Sequence, residues 1–273
     1  MASRRMRTDD GARRTSVQDS RPMNLDSGLL DAGIARVRFL SLDGDTAAFL
    51  PRWRAMLNAE EIQRADRFVF QPDRDTFIAA HALARAMLSE ATGAAPASWQ
   101  FVKGRHGKPE VAAHINGPAP MFNISHTNGL VACALTRTHP IGVDVEASDR
   151  VTKLDIAGRY FAPEETAQVR AVSPEQGKQR FFRFWTLKEA FIKATGEGLN
   201  RPLDSFGFSL DPIRITFYPE RDEHRRTGDP ADWQFAQIRP APNRMLALAM
   251  NRARTPDLVL DIQAAQPETI ARD

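Results

Sequence analysis

The chain has 273 residues, 42% hydrophobic and 26% charged, with 16 glycines, 18 prolines and one cysteine. Those proportions exclude a collagen, a coiled coil, a disordered polyelectrolyte and a disulfide scaffold, and the length allows one large core or two of roughly 100 to 130 residues. The formal charge of +3 comes from residues 1–22, with six Arg against three Asp, and leaves 31 basic and 31 acidic groups in the rest, so a neutral body with no nucleic-acid partner is expected.

Residues 1–33 read as a disordered basic tail, with too few apolar groups to offset the entropy of ordering. The segment lacks the apolar core of a signal peptide, and no stretch approaches the ~18 consecutive apolar residues of a membrane span. Cys133 has no intrachain partner for a disulfide. A soluble, cytoplasmic protein with no membrane partner is the expectation.

A first strand is expected over 37–42. Asn58 and Glu61 form a capping-box pattern that opens a helix over about 59–70. Phe77, Ala80, His81, Ala84, Met87 and Leu88 keep a 3.6-residue period to Thr92, and Gly93 ends it. Short strands over 98–103, 121–126, 130–137 and 140–146 follow. Pro163, Glu164 and Glu165 suit the first turn of a helix. Phe181, Phe184, Trp185, Leu187, Phe191 and Ala194 make a broad apolar face that predicts a long helix over 175–196. Period-two alternation then marks strands over 205–210, 213–218, 232–239, 244–251 and 258–263. The class is α+β, divided as a tail (1–33), an N-terminal lobe (34–141) and a C-terminal lobe (142–273).

Three constellations could carry chemistry. In Pro140-Ile-Gly-Val-Asp-Val-Glu146, Asp144 and Glu146 share one face of a strand, with Cα atoms roughly 6.5 to 7 Å apart, and two such carboxylates can converge on a hard divalent cation. A solvated strand face presents the same pattern. Trp185, Glu189 and Lys193 share one helical stripe, where an exposed i, i+4 ion pair would be the plain explanation, yet the large apolar residues around them imply partners that offset desolvation. Phe122-Asn-Ile-Ser-His126 and Lys103-Gly-Arg-His-Gly-Lys-Pro109 place a hydroxyl, an imidazole and mobile cations where phosphate oxygens could dock, although Ser-His-Thr is also an ordinary turn sequence. Zinc-ligand spacing, a Gly-rich phosphate loop and a nucleophile elbow are all missing from the sequence, which disfavours a zinc site, an ATP-cradling loop and a serine hydrolase.

In order, G-K-P (107–109), F-N-I-S-H (122–126), G-V-D-V-E (142–146) and W-T-L-K-E-A-F-I-K-A-x-G-x-G-L (185–199) resemble the signature of the 4′-phosphopantetheinyl transferases of the long, surfactin-synthetase-activating type, in the subgroup with W-x-x-K-E-A. The resemblance implies a pseudo-dimer of two similar α+β lobes with the active site in the cleft between them. It implies transfer of the 4′-phosphopantetheine arm of coenzyme A, the co-substrate, to a serine of an apo acyl or peptidyl carrier protein, with release of adenosine 3′,5′-bisphosphate, by a monomer. By the same resemblance Asp144, Glu146 and Glu189 would hold Mg²⁺, and Glu189 and Lys193 would be catalytic. Arg64, Lys108, Ser125, His126, Lys188 and Lys193 would contact coenzyme A. Some members carry basic residues where this chain has Glu61 and Thr76, which leaves the grip on the 3′-phosphate to other groups, Arg74 or Lys103 among the candidates. Two further readings stay open from the residues: a metal-dependent pyrophosphate hydrolase, and a non-catalytic module that binds coenzyme A or a carrier protein.

Overall fold

A computed structural model describes residues 30–104, 106–112, 119–152, 154–221 and 228–271. The expected tail lies outside the described residues as far as residue 29. The first half runs β1 (Ile34–Ser41), α1 (Leu50–Ala55), α2 (Ala59–Asp66), α3 (Gln71–Thr92), a hairpin of β2 (Phe101–Lys103) and β3 (Pro109–Val111), then β4 (Met121–Thr127) and β5 (Leu130–Thr136). The second half repeats that order with β6 (Ile141–Ala147), α4 (Ala157–Tyr160), α5 (Pro163–Arg170), α6 (Pro174–Thr195), a hairpin of β7 (Phe206–Leu210) and β8 (Ile213–Phe217), then β9 (Trp233–Ile238) and β10 (Arg244–Asn251). In each half the first strand pairs antiparallel with the last, giving β1-β5-β4 and β6-β10-β9. Two similar α+β lobes therefore form a pseudo-dimer.

The chain then crosses back. β11 (Val259–Ala264) runs parallel to β1, from Ile34 opposite Val259 to Phe39 opposite Ala264, and Arg36 and Arg38 both reach Asp261. Helix α7 (Pro267–Ile270) follows, and Ile270 joins the first lobe's core.

Alternation along the strands sets up four layers. Val37, Ala132 and Ala134 of the first sheet meet Val143, Val145, Leu246 and Leu248 of the second in a core between the sheets. The opposite faces carry the long helices. α3 packs Phe77, Leu83 and Met87 with Trp53 and Trp99, and α6 packs Phe181, Phe184, Leu187 and Phe191 with Phe206 and Trp233. Because Val143 and Val145 point between the sheets, Asp144 and Glu146 point toward α6. Every residue of β6 is buried, so the Asp-x-Glu face is covered rather than solvated. Gly142 lies on that same face, where a Cβ would run into the Ala190 carbonyl and the Ala194 amide of α6.

The elements follow the sequence closely, with local corrections. Asn58 and Glu61 form the expected capping box, but α2 stops at Asp66, because the chain turns through Phe70, whose extended backbone caps α3. Pro72 falls inside the first turn of α3, where its missing N–H removes no helix bond. The strand expected over 98–103 is shorter, since 96–98 form a 3₁₀ turn and only 101–103 pair. Gly93 and Gly196 end the two 22-residue helices at φ of 76° and 74°.

Candidate active site

The lobes meet along β4 and β6, stitched by side chains. Asn123 Oδ1 accepts from the Val143 amide at 2.8 Å and Ser125 Oγ from the Val145 amide at 3.2 Å. Helix α6 lies over this seam and brings Trp185, Glu189 and Lys193 down on it, one stripe of the helix, as their spacing requires.

Asp144 is the centre of the cluster. Its Oδ1 accepts from Lys193 Nζ at 2.6 Å and from Ser125 Oγ at 3.0 Å, while its buried Oδ2 has no partner among the described residues. Lys193 also reaches Ser125 Oγ at 3.0 Å. Glu146 Oε1 accepts from the Trp185 indole at 2.9 Å and from Arg150 at 3.1 Å. Burial and the Asp144 charge push Glu146 up to about 7 against the opposing effects of Arg150, Trp185 and Lys193. Glu189 is raised by the same two causes, with Lys193 opposing, and its carboxylate makes no hydrogen bond among the described residues.

Around this centre the expected phosphate contacts divide. Ser125 belongs to the cluster itself. His126 stands at the exposed end of β4, held below the ordinary imidazole value by desolvation against its neighbours and by the charges of Lys193, His81 and Arg64, with Asp73 opposing. Arg64 is exposed on α2, its guanidinium 5.2 Å from the Phe77 ring centroid. Lys108 donates to the carbonyls of Lys193 at 2.8 Å and Ile141 at 3.0 Å, so it pins the Gly-Lys-Pro turn to the end of α6 and the start of β6. Burial lowers it to about 8, Glu110 opposing and Lys193 adding.

Lys188 is a correction. It has no exposed surface, and its ammonium is committed to the Leu203 and Phe206 carbonyls at 2.7 and 2.6 Å and to Glu165 at 2.8 Å. On α6 it points into the apolar core on the side away from Asp144, so a contact to coenzyme A is not available to it. Glu165 also accepts from the Phe208 and Ala162 amides, which makes the pair a structural joint between α5, α6 and β7.

Sequence reasoning missed three contributors: Arg150, which crosses from the loop after β6 to Glu146; Asn123, which joins the lobes; and the Glu61 assembly. Glu61 accepts Arg85 at 2.7 and 3.0 Å and contacts His81 Nδ1 at 2.6 Å as well as capping α2. Glu61 lies 20 positions before His81 and 24 before Arg85, so no local pattern carries this signal and only the packing of α2 on α3 reveals it.

The donor set can be tested against a divalent cation. All three carboxylates offer hard oxygens, two are raised by burial and by the charge of Asp144, and Asp144 keeps an uncommitted buried oxygen. Such residues fit Mg²⁺. Among the described residues no three His, Cys, Asp or Glu side chains are arranged as they stand to hold a metal ion, and Lys193 and Arg150 are the present counter-ions of Asp144 and Glu146.

Fold and site together define an α+β protein of two duplicated lobes with a carboxylate and lysine cluster at the seam between them. The family model of the 4′-phosphopantetheinyl transferase superfamily matches residues 140–249, and that of the 4′-phosphopantetheinyl transferase N-terminal region matches residues 47–138. The chain is 33% identical over 197 residues to the 4′-phosphopantetheinyl transferase HetI of Nostoc sp., covering 72% of this chain and 79% of that one. It is 36% identical over 159 residues to a 4′-phosphopantetheinyl transferase of Bacillus subtilis, covering 58% and 69%, and 31% identical over 159 residues, with the same coverage, to the Sfp enzyme of that species. The chain belongs to the 4′-phosphopantetheinyl transferase family. It is a transferase that moves the phosphopantetheine arm of coenzyme A onto carrier proteins.

Proposed function

We propose that the Asp144, Glu146 and Glu189 carboxylates hold Mg²⁺ and that the cluster around them transfers the arm to a serine of an apo acyl or peptidyl carrier protein. The observation that carries the metal reading is Asp144, one oxygen committed to Lys193 and the other buried and uncommitted. When bound, the metal would neutralise charge on the pyrophosphate.

The rest falls to this chain's residues. The serine Oγ forms a bond to the phosphorus that bears the pantetheine, the bond from that phosphorus to the bridging oxygen breaks, and adenosine 3′,5′-bisphosphate leaves. Glu189 accepts the serine proton. Its raised pKa, from burial and Asp144, makes it a stronger base than a solvated glutamate. Lys193 places its ammonium beside the reacting phosphate, as a donor fixed before reaction. Ser125, His126 and Arg64 supply further phosphate contacts, and Lys108 holds the turn that borders them. Trp185 orients Glu146 through its indole N–H.

Both lobes of the cleft come from one chain, which supports a monomer, with 34–141 and 142–273 as the two lobes and β11 returned to the first. A cytoplasmic setting agrees with the free, buried Cys133 and with the lack, among the described residues, of a helix long and apolar enough to cross a membrane. Incubation with coenzyme A, Mg²⁺ and an apo carrier tests the reading. The carrier gains the mass of one phosphopantetheine arm. Cleavage of coenzyme A without carrier would instead support a pyrophosphate hydrolase, and binding without turnover a non-catalytic module.

A further inference from the structure

The turn that joins β2 to β3 belongs to the first lobe, yet its side chains end on the second. Gly104 closes it by donating to the Lys108 carbonyl at 2.8 Å, and Gly107 takes the left-handed φ of 84° that the turn requires. From this frame the Lys108 ammonium reaches across the seam to the carbonyls of Lys193 at 2.8 Å and Ile141 at 3.0 Å. His106 Nδ1 meets the side-chain amide nitrogen of Asn200 at 2.9 Å, on the segment that follows α6. One turn is thus fixed to the other lobe at two places.

The carbonyls that Lys108 holds sit at telling positions. α6 ends at Thr195, so the Lys193 carbonyl is one of the four at the helix terminus that lack an intrahelical N–H. An ammonium there satisfies the oxygen and stands at the negative end of the helix dipole. Ile141 is the first residue of β6, three before Asp144. A single cation therefore ties the backbones of both elements whose side chains make the 2.6 Å contact between Lys193 and Asp144. The tie lies where those elements run closest, since a Cβ on Gly142, next to Ile141, would meet α6 backbone at Ala190 and Ala194. With two of its three N–H donors spent on main-chain oxygens, Lys108 is built as a clamp.

We propose that Lys108 is a positioning residue for transfer: holding the backbones of Lys193 and Ile141 from the opposite lobe, it sets where the Lys193 ammonium stands against Asp144, and so governs the rate of transfer rather than the hold on coenzyme A. This rests on the role given to Lys193 above. A reacting group misplaced by about 1 Å can cost on the order of 100-fold in rate, so a clamp on its backbone matters although it touches no reacting atom.

The test is a double-mutant cycle between Lys108→Met and Lys193→Ala, with Lys108→Arg alongside, read by kcat and KM for carrier modification, calorimetric binding of coenzyme A and urea unfolding. Lys108→Met should lower kcat of the folded protein by on the order of tenfold or more, while KM and calorimetric affinity for coenzyme A stay near wild type. Lys108→Arg, which still donates to carbonyls, should recover part of that loss. In the Lys193→Ala background, Lys108→Met should lower kcat little further, because the group it positions is gone. Lys108→Gln keeps an amide donor and serves if the methionine variant does not fold; it should show a smaller loss of the same kind. Weakened coenzyme A binding that persists in the Lys193→Ala background would overturn the assignment and make Lys108 a ligand contact. Lowered stability with unchanged kcat in the folded fraction would overturn it too, leaving only a structural tie between the lobes. A normal kcat for Lys193→Ala alone would instead count against the role of Lys193 on which the proposal rests.

Discussion

Lys193 Nζ lies 2.6 Å from Asp144 Oδ1, across the seam between helix α6 and strand β6, while the other oxygen of Asp144 is buried without a partner. Half of the carboxylate is thus balanced by the protein and half is not. Leaving a buried anionic oxygen uncommitted costs free energy unless another group arrives to meet it. Burial first and the Asp144 charge second raise both Glu146 and Glu189 above the ordinary carboxylate range.

Asp144→Ala should therefore remove transfer while the fold survives, because the packing of β6 between the sheets comes from Val143 and Val145. The rate of carrier modification at saturating Mg²⁺ is expected to fall by more than about tenfold, the equivalent of about 1.4 kcal/mol. A variant with an unchanged melting temperature that keeps more than roughly a tenth of the wild-type rate would remove Asp144 from the metal set.

Glu61→Gln tests the other assembly through its pH dependence. Burial by itself would raise Glu61, but the His81 contact, the Asn58 amide and Arg85 outweigh it and hold the carboxyl below its ordinary range. A depressed folded-state pKa adds stability above the unfolded value, about 4.3, and that stability is lost as pH falls through the folded value. Wild type should show this acid limb in urea unfolding, and Glu61→Gln should not. Near neutral pH the variant should lose about 3 kcal/mol, since Arg85, with no exposed surface, is left without its counter-ion. Parallel stability curves for the two proteins between about pH 3 and 7 would contradict this.

Gly142→Ala should act on both stability and turnover. A Cβ at that position meets backbone atoms of α6, at the Ala190 carbonyl and the Ala194 amide, and neither can rotate aside. Forcing the helix off the strand should cost about 1 to 3 kcal/mol, the usual range for overpacking. It should also lower kcat, because the same spacing holds Asp144 against Lys193. Full activity at an unchanged melting temperature would show that α6 tolerates the shift.

The sequence carried the local and periodic features well, because caps, glycine stops and apolar faces are written in neighbouring residues. The Asn58–Glu61 box and the ends of α3 and α6 are of that kind. The seam was less legible. That Asp144 faces a helix instead of water depends on α6 packing over β6, and both faces of a fully buried strand look alike in one dimension. The return of β11 to β1 joins residues more than 220 positions apart, as Arg36 to Asp261 shows, and nothing near either strand announces it. Glu61, His81 and Arg85 belong to two helices, so the acid that reads as a departure in sequence becomes a junction only once α2 lies on α3.

Lys188 and Lys193 give the sharpest contrast, five residues apart on one helix and turned to opposite sides. Lys188 has no exposed surface and shares its charge with Glu165, which is 1% exposed, and with two carbonyls. Its loss strands a buried carboxylate, so Lys188→Ala should cost about 3 to 5 kcal/mol in unfolding free energy. Replacing both partners, as Lys188→Met with Glu165→Gln, should recover part of that, because no unpaired charge remains. KM for coenzyme A in the folded variants should stay near wild type. Lys193, whose side chain is 27% exposed, differs in what it does to turnover. Lys193→Ala also leaves the buried Asp144 without its cation and should cost about 3 kcal/mol, but unlike Lys188→Ala it should reduce kcat on the order of 100-fold in the folded protein, as the loss of one preorganised donor does. Lys193→Arg should restore only part of the rate, since a planar fork places charge differently from a compact ammonium. The two outcomes are separable in one experiment that measures urea unfolding and steady-state kinetics on the same preparations. A Lys188→Ala protein of normal stability with a raised KM for coenzyme A would return that lysine to the phosphate site. A Lys193→Ala protein with normal kcat and a raised KM for the carrier alone would move Lys193 from the reacting phosphate to the docking surface.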